Sequence, residues 1–291
     1  LARNGSNSYN LITKPKKEVM QMRMRMRKIG VSLVLCLSLT VGGAAAAGPV
    51  VVNGASVDAG ARIYNNTTYV SLRAVSEALY PESVVTWEYD RAVVRVNDLV
   101  LTAVPGSRYI EADGRTLYAA GGVRLESGRT LVPVRVLADG LGANVHWDAK
   151  TGTVSVWLEA DADTGGDVGY DADSVYWLSR IISAESRGEP LDGKIAVGNV
   201  VLNRVADGGF PNTIYGVIFD DRWGGQFEPV RNGTIYDEPT EESVLAAKLC
   251  LEGANTAGDS LYFLAPALTT NHWIMQNRTY RTTIGSHWFY Y

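Results

Sequence analysis

Apolar residues in the C-terminal part of the chain recur with the three- and four-residue spacing of an amphipathic helix. Leu178, Ile181 and Ile182 form one such stripe on a helix predicted from about 173 to 186. The same reading predicts further helices at about 192–205 and 213–219 and between Thr240 and Gly253, then a strand at 260–264 and a terminal strand-and-turn region. These elements predict an α+β domain over 173–291.

The segment 48–157 has a different pattern, in which short alternating strands surround an internal repeat. TYVSLRAVSEAL (68–79) matches TLVPVRVLADGL (130–141) at a constant offset of 62 residues. Each copy is followed by an alternating segment that contains a tryptophan, Trp87 in the first and Trp147 in the second. The sequence therefore predicts a small α+β repeat domain, and the acidic, glycine-rich residues 158–172 predict a flexible linker to the second domain.

The first 47 residues have the pattern of a targeting segment. Basic residues at 23–28 precede an apolar run at 29–41, and four alanines at 44–47 offer a cleavage site. This order predicts a secretory signal peptide at 20–47 and a secreted or cell-wall protein, attached to a membrane only if the segment is retained. Residues 1–19 precede any methionine, and we interpret them as sequence upstream of the true start.

The net charge of the chain argues against nucleic acid as a binding partner. Without residues 1–47, the chain holds 19 of its 27 basic and 30 of its 31 acidic residues, a net charge of −11. This balance argues against binding to nucleic acid, which depends on basic residues that neutralise phosphates. Cys250 is the only cysteine after the signal segment, and it falls in an apolar helical pattern typical of a core residue.

Glu185 is the residue that carries the clearest chemical signal. It lies three, four and seven residues beyond Ile182, Ile181 and Leu178, so helical geometry places it on the buried face. Burial penalises the ionised carboxylate and raises its pKa, which is what a general acid needs near neutral pH. The alternative is a helix-end glutamate that points to solvent.

Five ordered segments resemble the SleB-type cell-wall hydrolases, a family of spore-cortex-lytic enzymes. They are SAESRGEP (183–190), AVGNVVLNRV (196–205), FPNTI (210–214), GQFEPV (225–230) and IGSHWF (284–289). The resemblance implies a lysozyme- or lytic-transglycosylase-like fold and cleavage of the β-1,4 bond between N-acetylmuramic acid and N-acetylglucosamine in peptidoglycan. It places Glu185 on the catalytic glutamate and Gln226 in the substrate groove.

Four more residues are candidates for substrate binding. Trp223 and Tyr262 are the aromatic residues that we expect in the groove, while most other aromatic side chains are expected in the core. Arg187 and Glu189 follow Glu185 in its motif, and an ion pair of Glu189 with Arg187 or Arg204 is an equally good interpretation. Asn203 is expected to bridge helices or cap one.

The repeat domain resembles the copper amine oxidase N-terminal-like module, a stalk found on exported Firmicutes proteins. No copper is expected, because His146 is the only histidine there and one histidine makes no metal site. The resemblance implies an accessory that positions or tethers the enzyme, and a wall-binding module is the alternative. Because spore enzymes usually carry another kind of binding domain, both spore cortex and vegetative wall remain candidate substrates.

The predicted reaction mechanism depends on whether the motif supplies a second catalytic carboxylate beside Glu185. Glu189 is the motif's other carboxylate, but Pro190 disfavours helical geometry at residue 189, so Glu189 need not face the same groove. With one dependable carboxyl, we predict a lytic transglycosylase without a cofactor, and hydrolysis by water is the alternative.

Two other functions fit the sequence less well. A zinc amidase using His272 and His287 lacks a third ligand, and a non-catalytic wall-binding protein would not need the Glu185 motif.

Overall fold

The computed structural model describes residues 45–159, 169–222, 224–270 and 272–291. Most of the predicted signal peptide, the central part of the predicted linker and Trp223 lie outside these ranges. In the described ranges, no helix combines the length and the apolar character needed to cross a membrane.

The repeat domain consists of short strands, which pair antiparallel with one parallel exception, and two helices. Its strands are Ala45–Ala46 (β1), Val50–Val52 (β2), Ala55–Val57 (β3), Arg62–Tyr64 (β4), Thr67–Ser71 (β5), Val84–Glu88 (β6), Arg91–Val96 (β7), Leu99–Ala103 (β8), Tyr109–Ala112 (β9), Arg115–Tyr118 (β10), Arg124–Glu126 (β11), Arg129–Pro133 (β12), Asn144–Asp148 (β13) and Thr153–Trp157 (β14). Its helices are Leu72–Leu79 (α1) and Val134–Gly140 (α2). The strands form sheets of order β1-β4-β5-β12-β11, β10-β9-β8-β7-β6 and β13-β14-β2-β3.

The two copies of the repeat meet at a local two-fold axis. Strands β5 and β12 pair antiparallel, and Val70 lies opposite Val132, which is its own equivalent at the offset of 62 residues. The equivalent helices α1 and α2 each follow one of these strands, with Ser71 as a side-chain cap for α1 and Pro133 without one for α2. Both helices contribute to one core that includes Leu72, Val75, Leu137 and Leu141.

The C-terminal domain is mainly helical with a small sheet at its end. Its helices are Ala172–Ser186 (α3), Leu191–Ala206 (α4), Ile214–Ile218 (α5), Glu228–Asn232 (α6), Glu241–Leu251 (α7) and Trp273–Asn277 (α8), with a 3₁₀ turn at Thr234–Tyr236. Its strands are Tyr262–Leu264 (β15), Tyr280–Ile284 (β16) and His287–Tyr290 (β17), in the order β15-β17-β16. The α+β class predicted for both domains is confirmed, whereas α6 and α8 were not predicted.

Helices α3, α4 and α7 pack together as the core of this domain. The stripe of Leu178, Ile181 and Ile182 is fully buried, as its spacing predicts. At Gly198 a side chain would lie 2.7 Å from the Cys250 Sγ, so glycine is what lets α4 approach α7 this closely. Cys250 is buried in that contact, which confirms it as a core residue.

The hairpin of β9 and β10 holds the repeat domain against the C-terminal domain. The Arg115 guanidinium donates to the Glu252 carboxylate at the end of α7, with an Nη2–Oε2 distance of 2.8 Å. Asp192 at the start of α4 accepts from the Tyr118 hydroxyl and pairs with the Arg108 guanidinium at 2.8 Å. The separability of the two domains remains a prediction, but these charged contacts join them directly.

We expect Arg115 and Glu252 to be coupled in stability. Glu252 is only 12% exposed, so truncating Arg115 leaves a poorly solvated carboxylate. A double-mutant cycle of Arg115→Ala and Glu252→Ala in urea unfolding should give about 2 kcal/mol of coupling. The exposed Arg73–Glu77 pair within α1 is the matched control, for which about 0.4 kcal/mol is expected. Equal coupling in the two cycles would contradict a structural role for the hairpin contact.

Candidate active site

Glu185 lies in the last turn of α3, partly buried on the same face as the apolar stripe. The alternative of a glutamate that points freely to solvent is therefore wrong. Burial raises the pKa of Glu185, the negative charge of Glu228 raises it further, and the positive charge of Arg204 opposes them, so that its pKa is about 7. A carboxyl group with this pKa is still half protonated at neutral pH, as a general acid requires.

Arg204 is the buried positive charge beside Glu185. Its Nε donates to the Leu261 carbonyl oxygen at 2.7 Å, and its Nη1 donates to the Gln226 Oε1 at 3.4 Å. The guanidinium lies between 5.1 and 5.5 Å from the ring centres of Phe210, Phe227 and Tyr262. Burial lowers the pKa of Arg204 to about 10, and it stays cationic at neutral pH.

The sequence predicts Glu185 as the general acid of glycan cleavage, and we expect the pH dependence of that reaction to follow its protonation. A general acid must be protonated at the start of the reaction, so the rate should fall above about pH 7, tenfold for each further pH unit. Glu228→Gln removes a like charge, lowers the pKa of Glu185 and should move this alkaline limb to lower pH. Glu241→Gln, at the exposed start of α7, is the control that should leave the limb in place. Identical limbs in wild type and Glu228→Gln would contradict this electrostatic assignment.

Two predicted groove residues contact Arg204, the cation whose charge acts on Glu185. Gln226 accepts the hydrogen bond from Arg204, and Tyr262 on β15 presents its ring to the guanidinium of Arg204 and to that of Arg278 at 4.5 Å. Trp223, the other aromatic groove candidate, is outside the described residues. The structure thus brings Gln226 and Tyr262 together with the catalytic candidate, while their contact with substrate remains a prediction.

Glu189 connects the start of α4 to the terminal hairpin. One of its carboxylate oxygens accepts from the Ser286 N–H at 2.9 Å, and the other accepts from the Ser286 hydroxyl. Burial raises the pKa of Glu189, but the Ser286 hydrogen bonds and the charges of His287 and Lys194 outweigh it, so its pKa is below the usual value. Glu189 is therefore an anchored, ionised group, and the predicted ion pair with Arg187 or Arg204 is wrong.

Arg187 faces a different part of the domain surface. It follows α3 directly, is exposed, and its guanidinium donates to the Glu238 carbonyl oxygen at 3.2 Å. Together with Arg180 and Asp237 it lines a polar cleft of about 320 Å³. The structure does not connect Arg187 to the group around Arg204, and its role in substrate binding stays a prediction.

Sequence reasoning missed three charged residues of this region. Glu228 and Arg204 shift the pKa of Glu185 in opposite directions, in addition to the larger effect of burial. Lys194 is 2% exposed, with its ammonium 2.7 Å from the Glu242 carboxylate. Arg204 and Glu228 lie within the quoted motifs, so the motifs themselves were the available signal. Asn203 donates to the carbonyl oxygens of Gly258 and Ser260, both at 2.9 Å. It is therefore a structural residue, but it holds the segment before β15 and does not bridge or cap helices as expected.

The two histidines of this domain do not lie in one cluster. His272 is exposed before α8, whereas His287 is buried on β17 with its Nδ1 3.7 Å from the Glu189 carboxylate. Among the residues that the structure describes, no group of three or more histidine, cysteine, aspartate or glutamate side chains is arranged to hold a metal ion. The geometry offers a carboxyl acid and a buried cation instead.

Both domains match known families. Residues 51–156 match the copper amine oxidase N-terminal domain, and residues 188–290 match the family described as Cell Wall Hydrolase. The C-terminal region of this chain belongs to the cell wall hydrolase family.

Several individual proteins that are similar to this chain are spore cortex-lytic enzymes. The chain is 38% identical over 121 residues to the spore cortex-lytic enzyme of Bacillus cereus, and the aligned region covers 42% of this chain and 45% of that protein. It is 35% identical over 133 residues to the spore cortex-lytic enzyme of Oceanobacillus iheyensis, and here the aligned region covers 44% of this chain and 47% of that protein. The chain thus spans less than half the length of these relatives.

Solved structures also match the same region. One of them is the catalytic domain of the germination-specific lytic transglycosylase SleB from Bacillus anthracis, with 37% identity, 43% of this chain and 98% of that chain covered, and a TM-score of 0.39.

Proposed function

We propose that this chain is an exported enzyme that cleaves the β-1,4 bond between N-acetylmuramic acid and N-acetylglucosamine in peptidoglycan. The observation that carries the proposal is the partly buried Glu185, whose pKa of about 7 suits it to protonate the glycosidic oxygen. Membership of the cell wall hydrolase family and the names of the spore cortex-lytic relatives support this choice of substrate.

The scheme that we favour is a lytic transglycosylase reaction with one catalytic carboxyl. Glu185 donates its proton to the glycosidic oxygen, and the bond from that oxygen to the muramic acid anomeric carbon breaks. The Glu185 carboxylate then accepts the proton of the C6 hydroxyl, whose oxygen bonds to the same anomeric carbon. The products are a free hydroxyl and a 1,6-anhydro end, and the attack is intramolecular and needs no held water.

The surroundings of Glu185 suit this sequence of proton transfers. The positive Arg204 stabilises the carboxylate that forms after proton donation, while burial and Glu228 favour the return to the acid form. Glu189 is occupied by Ser286, so it is poorly placed to serve as a second catalytic group. We assign Gln226 and Tyr262 to binding of the sugar, with Arg204 holding the Gln226 amide in position.

Hydrolysis by water is the second candidate reaction, and Glu228 favours it. Its charge acts on Glu185, and it is exposed at the start of α6, where it is available to activate a water molecule. The substrate would be the same, but the product would end in an ordinary reducing sugar.

Analysis of the bonds cleaved in purified peptidoglycan tests the proposal. Glycan cleavage should release muropeptide fragments without creating new amino groups, whereas an amidase would free the amino group of the first stem-peptide residue. Digestion that produces new amino groups would contradict the proposed function, and binding without any release would indicate a non-catalytic wall protein. Parallel digests of spore cortex and vegetative wall would show which material is preferred.

A further inference from the structure

The repeat domain carries a cleft of about 500 Å³ between its two copies, lined by α1 and β6 of the first copy and by the β11–β12 hairpin of the second. An exposed tryptophan forms part of its wall: Trp87 on β6 is 50% exposed, and its indole N–H donates to the Tyr89 carbonyl oxygen at 3.1 Å. Leu125, which is 56% exposed, also lines the cleft. The cleft therefore combines a ring held by a hydrogen bond with a second exposed apolar side chain.

The polar groups of the cleft are balanced in charge. Arg73 pairs with Glu77 at 3.1 Å on α1, and Arg129 lies 3.7 Å from Asp58 on the hairpin side. Two guanidinium groups and two carboxylates leave no net charge to attract a polyanion or a polycation. Such groups beside an exposed aromatic face suit a neutral ligand with many hydroxyl and amide groups.

The local two-fold axis relates this cleft to a second one of about 240 Å³, which lies between α2 and the β4–β5 hairpin. The two clefts differ in their lining, so the repeat fold alone does not require the side chains of the first. At the offset of 62 residues, Ala120 stands there in place of Asp58 and Thr67 in place of Arg129. Trp147, the equivalent of Trp87 in the repeat, does not line the second cleft. Of these two clefts, only the one at α1 thus has the tryptophan and the balanced charges.

The second copy has a different task, because Asp139, the equivalent of Glu77, pairs with Arg115 in the contact between the domains. We propose that the cleft at α1 binds N-acetylated sugars of the peptidoglycan glycan strand, with Trp87 stacked on a sugar ring. This inference rests on the proposed function for its choice of ligand. It assigns to the repeat domain a binding site that is separate from Glu185 and holds the enzyme on the glycan strand.

Binding of inactive full-length chain to glycan tests the site. All variants carry Glu185→Gln, so that no substrate is cleaved, and are sedimented with purified peptidoglycan and with the same material freed of stem peptides. Trp87→Ala should weaken binding to both materials about fivefold or more, because it removes the stacking surface. Trp147→Ala is the matched control, with 53% exposure at the equivalent strand position, and its affinity should stay unchanged. Trp87→Phe keeps a ring and should restore most of the affinity.

Equal affinities of the Trp87→Ala and Trp147→Ala variants would overturn the proposal. A loss confined to peptide-bearing material would also overturn it, because the occupant would then be the stem peptide. If Trp87→Ala does not fold, Arg129→Ala, an exposed side chain of the same cleft, replaces it with the same expected loss on both materials. Failure of the proposed function would appear separately, as a wild-type chain that cleaves no soluble glycan.

Discussion

Replacing Glu185 by glutamine should abolish cleavage of peptidoglycan. Glutamine keeps the size and polarity of the side chain but cannot donate a proton, and loss of a general acid costs about a thousandfold in rate. The measurement is release of soluble fragments from dye-labelled peptidoglycan at pH 6, where wild-type Glu185 is mostly protonated.

Glu189→Gln in the same assay separates the two carboxyl groups of the motif. Because Glu189 is hydrogen-bonded to Ser286 and not part of the proposed chemistry, its replacement should reduce the rate much less than Glu185→Gln does. If Glu185→Gln retains most activity, or if Glu189→Gln is equally inactive while folded, the assignment of a single catalytic carboxyl is wrong.

Gly285→Ala should be the most destabilising small substitution in the terminal hairpin. Gly285 has a φ of +59° in the two-residue turn between β16 and β17, and a Cβ there would overlap the Glu189 carboxylate. The left-handed conformation costs about 1 kcal/mol for alanine. The Cβ also displaces the Glu189 carboxylate from its hydrogen bonds with Ser286, which costs about 2 kcal/mol more. We therefore expect a loss of about 3 kcal/mol in the free energy of unfolding, measured by urea denaturation.

Gly253→Ala is the matched control for this substitution. Gly253 follows α7 with a φ of +84°, and nothing lies within 4 Å of the position a Cβ would take. Its replacement should cost only the conformational contribution, about 1 kcal/mol. Equal losses for the two variants would mean that the contact between Glu189 and the hairpin adds nothing to stability.

The long elements were predictable because they repeat a simple pattern. The stripe around Leu178 predicted α3, and Thr240 and Gly253 marked the ends of α7, which begins at Glu241 after a Thr240 side-chain cap. The repeat at an offset of 62 residues predicted an α+β domain of two equivalent units, and each unit contains one helix, Leu72–Leu79 in the first and Val134–Gly140 in the second. Helices α6 and α8 have five residues each, too few for a hydrophobic period to be seen.

The site was only partly predictable, because its charges come from distant parts of the chain. Position on α3 sufficed for Glu185, since burial on a helix face depends on local spacing. The effects of Glu228 and Arg204 depend on how α4 and α6 pack beside α3, which no local pattern contains. For Glu189, Pro190 correctly indicated departure from the helix, but its partner Ser286 lies 97 residues away and could not be chosen from spacing.

The masses of the glycan ends produced by the wild-type enzyme provide the most direct test of the central claim. Digestion of purified peptidoglycan, followed by mass spectrometry of the soluble fragments, should give muramic acid ends that are one water lighter than reducing ends and that are absent with Glu185→Gln. Fragments that carry only ordinary reducing ends would contradict the transglycosylase scheme, and anhydro ends produced equally by Glu185→Gln would contradict the role of Glu185.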